Sequence, residues 1–180
     1  YDPRLSPYTS AVVSGSAHVT GELSWDRVRA DATIEEVDLT LLDYDVRNDG
    51  PTELSLDGRV ISVDRLRLVG EGTGVDLVGS VDLATDALGL TIRGDANLGI
   101  LQGFVPDLRG SGVAEVRTRV SGTFDEPELT GQATLSNDRI RHIALPHGIE
   151  AINGRIVFER DGLRFDDVPA LMGGGPVTVG

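Results

Sequence analysis

The feature that most restricts this chain is the alternation of apolar and polar residues, repeated through nearly its whole length. From Val13 to Leu23 the odd positions are Val13, Gly15, Ala17, Val19, Gly21 and Leu23, and the even positions between them are all polar. Side chains on a strand point alternately to its two faces, so such a run is a strand with one apolar and one wet side. A longer run spans Leu108–Phe124. Its even set includes Leu108, Ala114, Val116, Val120 and four glycines or threonines without a charge, while its odd set is polar apart from Val113. Shorter copies run over Val75–Leu83, Leu88–Leu98 and Leu129–Ser136. Ile156 and Phe158 lead through Asp161-Gly162 to Leu163 and Phe165, which is a hairpin signal. Thr85-Asp86 and Asn48-Asp49-Gly50-Pro51 are turn chemistry of the same kind. The spacing predicts about ten to twelve strands joined by short turns, an all-β antiparallel meander. Leu98, Leu101, Val105 and Leu108 fall at helical spacing, but Gly99, Gly103 and Pro106 limit that stretch to one short helical turn or a crossing loop near 98–106.

A sheet that is apolar on one side must cover that side. No helix is available to do so. Either a second sheet packs against it, as in a sandwich or barrel, or the sheet curls around a ligand. Gly15, Gly21, Gly79, Gly94, Gly112, Gly122, Gly131 and Gly154 lie inside alternating runs, where glycine marks sharp curvature or close backbone approach. Aromatic residues make up only 4% of the chain, whereas sandwich cores lean on large rings. An interior of Val, Leu, Ala and Gly suits flexible aliphatic chains. The sharper expectation is therefore a long sheet rolled into an open groove. Its lining would be Val13, Ala17, Val19, Val81, Leu90, Ile92, Ala114, Val116, Val120, Ala133, Leu135, Ile156 and Phe158.

Charge and composition exclude other classes. The chain has 29 acidic and 16 basic residues, every one of the latter Arg, for a net charge of −13. That balance argues against nucleic acid, which needs clustered positive charge, and against anionic bilayer surfaces. With no cysteine, there is no disulfide framework, thiolate metal site or thiol nucleophile. No apolar run is long enough to span a bilayer as a helix. The pattern reads as a single section, residues 1–180, of a longer repetitive chain.

Two stretches resemble a known family. Val120-Ser121-Gly122-Thr123-Phe124-Asp125-Glu126-Pro127-Glu128-Leu129-Thr130-Gly131 is similar to the recurring v-x-G-T-x-x-x-P-x-L-x-G signature of the TamB family. This family comprises the inner-membrane-anchored subunits of the translocation and assembly module, related to AsmA-like proteins. Ile149-Glu150-Ala151-Ile152-Asn153-Gly154-Arg155-Ile156-Val157-Phe158 resembles its i-x-x-i-N-G-x-i-x-F. The likeness covers roughly residues 54–170, and residues 1–50 match only in texture. The resemblance implies a taco-like β-groove in the periplasm of a double-membraned bacterium, anchored in the inner membrane outside this section. It also implies phospholipid acyl chains as cargo and an outer-membrane Omp85-class barrel (TamA-like) as partner. It carries no catalytic residue and no cofactor.

The chain offers little that would do chemistry. His142 and His147 flank Pro146 without helical ligand spacing, and His18 falls on a polar strand face. Asp43-x-Asp45 before Asn48-Asp49-Gly50 departs from a calcium loop, with Arg47 at its fifth position. Glu35-Glu36 and Asp166-Asp167 are adjacent, so on a strand they point to opposite faces and cannot cooperate as acid and base. Gly70-Glu71-Gly72-Thr73-Gly74 reads as a turn, and no Gly-x-Ser-x-Gly occurs. Trp25 beside Asp26 reads as a strand-end anchor, with a place at a membrane interface as the alternative. The expectation is no enzyme and no metal. Lipid conduction leads. A β-augmentation scaffold for outer-membrane protein assembly and a β-sandwich adhesion or carbohydrate-binding module are the alternatives.

Overall fold

The computed structural model describes residues 9–20, 28–41, 44–100, 107–143, 146–160 and 162–179. The alternating runs become strands β1 (Thr9–Thr20), β2 (Arg29–Leu41), β3 (Tyr44–Asn48), β4 (Thr52–Asp57), β5 (Val60–Gly70), β6 (Thr73–Asp82) and β7 (Ala87–Asn97). A single 3-10 turn, Leu98–Ile100, follows. The second half comprises β8 (Leu108–Ser111), β9 (Val113–Gly122), β10 (Pro127–His142), β11 (Ile149–Glu159), β12 (Gly162–Asp166), β13 (Val168–Met172) and β14 (Gly175–Val179). All fourteen belong to one antiparallel sheet with β1 and β14 at its edges, so the sheet is open and is neither a barrel nor two sheets face to face. Gly21, Leu23, Trp25, Asp43, Leu101, Gly103, Val105, Pro106 and Asp161 of the sequence reading cannot be placed: positions 21–27, 42–43, 101–106 and 161 lie outside the described residues.

Fourteen strands occupy eleven positions, because three pairs run end to end. β3 and β4 both pair with β2 and continue in one direction, so Asn48-Asp49-Gly50-Pro51 is an in-line break and not the reversal that its composition suggested. The Asn48 side chain fills that break. Its Oδ1 accepts the Val37 N–H at 2.8 Å, and its Nδ2 donates to the Glu35 and Gly50 carbonyls. The run Leu108–Phe124 likewise divides at Gly112 into β8 and β9, both alongside β10. β12 and β13 divide at Asp167 alongside β11.

Two motif segments acquire local reasons. Gly122 to Pro127 is the β9–β10 turn, closed by the Thr123 N–H to the Glu126 carbonyl and by the Glu126 N–H to Thr123 Oγ1, each 3.2 Å. Asn153 accepts the Asn137 N–H at 2.8 Å and donates to the Ala151 carbonyl at 2.7 Å, tying β10 to β11 where both strands are irregular. β11 and β12 pair as the expected hairpin, with Glu159 opposite Gly162.

The bends depend on missing side chains. Gly131 has φ +130°, and a Cβ there would sit 2.2 Å from the Arg117 carbonyl oxygen. Gly94 repeats the arrangement at φ +136°, 2.1 Å from the Gly74 oxygen. That backbone region is essentially restricted to glycine, so sequence and curvature are linked directly at these two positions.

Candidate functional site

Residues paired across an antiparallel ladder share a face, so the register can be followed from edge to edge. One row reads Ala17, Ala32, Leu54, Val63, Gly79, Leu90, Val120, Leu129, from β1 to β10. The next reads Val19, Ala30, Leu56, Ile61, Val81, Leu88. A third reads Leu68, Val75, Gly94, Val116, Ala133, Ile156, Phe165. Ile92 lies between the first and third, with Gly131 and Phe158 in its row. Val13 pairs with Val37, Ala114 with Ala96, and Leu135 with Gly154. All thirteen lining candidates thus stand on one face. The opposite face carries the charges, for example the row Arg67, Asp76, Arg93, Arg117, Gln132.

Keeping one face apolar over this length requires changes of parity. In β2 the apolar set is Ala30, Ala32 and Ile34, then Val37 and Leu39. The register slips at Glu35, so Glu35-Glu36 does not simply alternate. In β5 the set passes from Ile61 and Val63 to Leu66 and Leu68 across Asp64-Arg65. In β10 it passes from Leu135 to Ile140 across Asn137, which has φ +61°. The sequence signal for each slip is a pair of consecutive polar residues followed by inverted alternation. Ile34, Leu54, Leu66 and Leu77 belong to the same face and were not among the candidates.

Exposure divides this face into two regions. Toward β1 it is open: Val13 and Val19 are 62% and 61% exposed, and Val81, Leu90 and Ile92 are half-buried, as are Val120 on β9 and Phe158 on β11. Toward the other edge the protein packs against itself. Leu98, Ala114, Leu135, Ile152, Val168 and Ala170 form a buried cluster flanked by Val116, Ile140, Ile149, Ile156, Phe165 and Val177. Residues sharing one face of a flat sheet cannot bury one another in this way, so the sheet folds over its apolar side here. Ala114, Ala133 and Leu135 are consequently filled in by neighbouring side chains.

At this fold lies Asp138, fully buried. Its Oδ2 accepts the Ser136 N–H at 2.7 Å. Oδ1 has no hydrogen-bond partner, although the Val113 amide faces the same carboxylate. A Cβ at Gly112 would meet Oδ1, so the absent side chain there makes the carboxylate's space. Burial raises the Asp138 pKa, and the Ser136 and Val113 amides oppose the rise only in part. On the polar face Asp76 behaves oppositely: the hydrogen bond from Arg65, joined by Arg67, holds its pKa below the usual carboxylate range. Asp166 binds Arg155 and Arg164, while Asp167 has φ +44° at the β12–β13 break. Burial, aided by the nearby Glu71, raises the pKa of Tyr44, whose hydroxyl donates to the Glu71 carbonyl.

Among the described residues no three His, Asp or Glu side chains come together as metal ligands, and no helix is long and apolar enough to cross a membrane. His18 stands on the polar face, exposed, and His147 is exposed. No protein-family model matches this chain, and no curated protein or solved structure matches it.

Proposed function

We propose that the chain is a section of a periplasm-spanning hydrophobic groove that conducts phospholipids between inner and outer membranes and supports outer-membrane protein assembly. The observation that carries this reading is the apolar face itself. It is aliphatic, it is free of in-register charge from β1 to β12 except for the buried Asp138, and it stays half-open over β1–β7. The six ladder positions from β1 to β7, at about 4.8 Å spacing, give an open lining about 24 Å long across the strands. A sixteen-carbon tail crossing water exposes methylenes at about 0.8 kcal/mol each, about 13 kcal/mol in all, whereas transfer along an aliphatic lining avoids that barrier. Many residues share such work, and no catalysis is needed.

The TamB-family resemblance supports the same reading, with an inner-membrane anchor outside this section and an Omp85-class, TamA-like barrel as partner. Phospholipid mass spectrometry on the gently purified protein is the test. Phospholipid is expected to co-purify. Leu90→Asp should lower it at least about fivefold, because a charge in that lining has no partner, and Ser80→Asp, on the other face of the neighbouring strand β6, should not. Lipid-free wild-type protein would defeat the proposal.

One observation favours a second reading. The edge strand β1 is twelve residues long, its only ionisable side chain is His18, and Val12, Val13 and Val19 are exposed along it. Such an edge can accept a further strand. Crosslinks from β1 to nascent outer-membrane strands, without lipid on the apolar face, would favour a β-augmentation scaffold instead.

A further inference from the structure

The polar face holds an arrangement that strand pairing alone disfavours. Arg93 on β7 stands directly opposite Arg117 on β9, and Arg119 lies two residues further along the same side. Like charges directly opposite each other destabilise a sheet. With 29 acidic residues against 16 arginines, a carboxylate partner should be easy to find. Yet among the described residues Arg93 and Arg119 have no ion pair or hydrogen bond. The two carboxylates that share the cleft with them are already engaged, and Asp95, two residues from Arg93 along β7, makes no ion pair with it. Asp76 is held by Arg65 at 2.9 Å and by Arg67 at 3.1 Å, and Glu115 by Arg117 at 2.6 Å. Arg93, Arg117 and Arg119 line one open cleft of about 820 Å3, together with the engaged Asp76 and Glu115 and with Thr91 and Thr130, which flank Arg119 in its row.

We propose that this cleft is a binding site for a phosphate ester. Guanidinium forks bind tetrahedral oxyanions through paired hydrogen bonds. Two unpaired forks with two adjacent hydroxyls offer more donors than the two oxygens of a carboxylate can use, whereas a phosphate has oxygens for them. A bound phosphate also removes the Arg93–Arg117 repulsion. The site lies on the face opposite the aliphatic lining, so it does not depend on the lipid-conducting reading.

The experiment is calorimetric titration of the intact chain with inorganic phosphate, with glycerol 3-phosphate, and with vesicles of phosphatidylglycerol against phosphatidylcholine. Saturable binding is expected, weakened at least tenfold by Arg93→Gln or Arg119→Gln and lost in the double variant. Binding of glycerol 3-phosphate identifies a soluble ester, and binding of phosphatidylglycerol vesicles alone identifies a lipid headgroup. Either supports the site if the variants lose it. Without ligand both variants should melt at or above the wild-type temperature. If either unfolds, Arg93→Lys and Arg119→Lys, which keep the charge and lose the fork, should weaken binding several-fold. No saturable binding to any phosphate-bearing probe, or unchanged affinity in the variants, overturns the proposal.

Discussion

Replacing Gly131 by alanine puts the origin of the curvature to a quantitative test. Gly131 sits mid-strand in β10, paired with Thr118 on one side and Phe158 on the other, at φ +130°. An alanine there meets two penalties. Holding a non-glycine residue in this region costs about 1–3 kcal/mol. Its Cβ would also lie 2.2 Å from the Arg117 oxygen and 2.8 Å from the Thr118 Cα, both backbone atoms, so β9 must move, at about 1–3 kcal/mol more. The expected loss is about 3–4 kcal/mol. In urea, with a slope of about 2 kcal/mol/M, the midpoint should fall by about 1.5–2 M, and the melting temperature by about 10 °C. Gly162→Ala is the matched control, since a Cβ there meets nothing within 4 Å. It should stay within about 0.5 kcal/mol of wild type. If Gly131→Ala melts with the wild type, the bend is not held by the missing side chain and the glycine argument fails.

Asp138 gives a pH signature. Its folded pKa is raised, so its contribution to stability is fully present below about pH 4 and is lost as the pH rises through the folded value. Asp138→Asn cannot ionise. The stability of that variant relative to wild type should therefore grow with pH above about 4, by up to about 1.4 kcal/mol per unit, and then level off. Asp76, whose lowered pKa works in the opposite direction, is present in both proteins and cancels. Urea unfolding at pH 4, 5, 6 and 7 measures the gap, and a constant gap contradicts the burial argument. Asn48→Ala removes three hydrogen bonds at the β3–β4 break and should cost about 2–3 kcal/mol by the same assay. Val116→Asp places a carboxylate against the buried cluster. It should destabilise the fold by about 3 kcal/mol or more, so Leu90, outside that cluster, is the better site for probing lipid without unfolding the protein.

Alternation made the strands readable because each has one apolar and one polar side. The β6–β7 and β9–β10 runs pair as their periodicity requires. The breaks were harder to see. Asn48-Asp49-Gly50-Pro51 has the composition of a reversal, and only the pairing of both β3 and β4 with β2 shows that the chain runs straight on. The slips at Glu35 and Asp64-Arg65 exchange odd for even positions, so carrying one parity through β2 or β5 puts Val37 and Leu39, or Leu66 and Leu68, on the wrong face. The thirteen lining candidates were legible as a set because each lies on the apolar side of its own strand. That Ala114, Ala133 and Leu135 would be covered, and that Asp138 would be buried under Gly112, depends on a fold between strands distant in sequence. A lone aspartate carries no sign of that.

Photocrosslinking in cells tests the central claim most directly, with a photoreactive amino acid at Leu90 on the aliphatic face and, separately, at Ser80 on the polar face of the neighbouring strand β6, outside the arginine cleft. Phospholipid adducts are expected from position 90 and none from position 80. Adducts at both positions equally, or at neither, would contradict that claim.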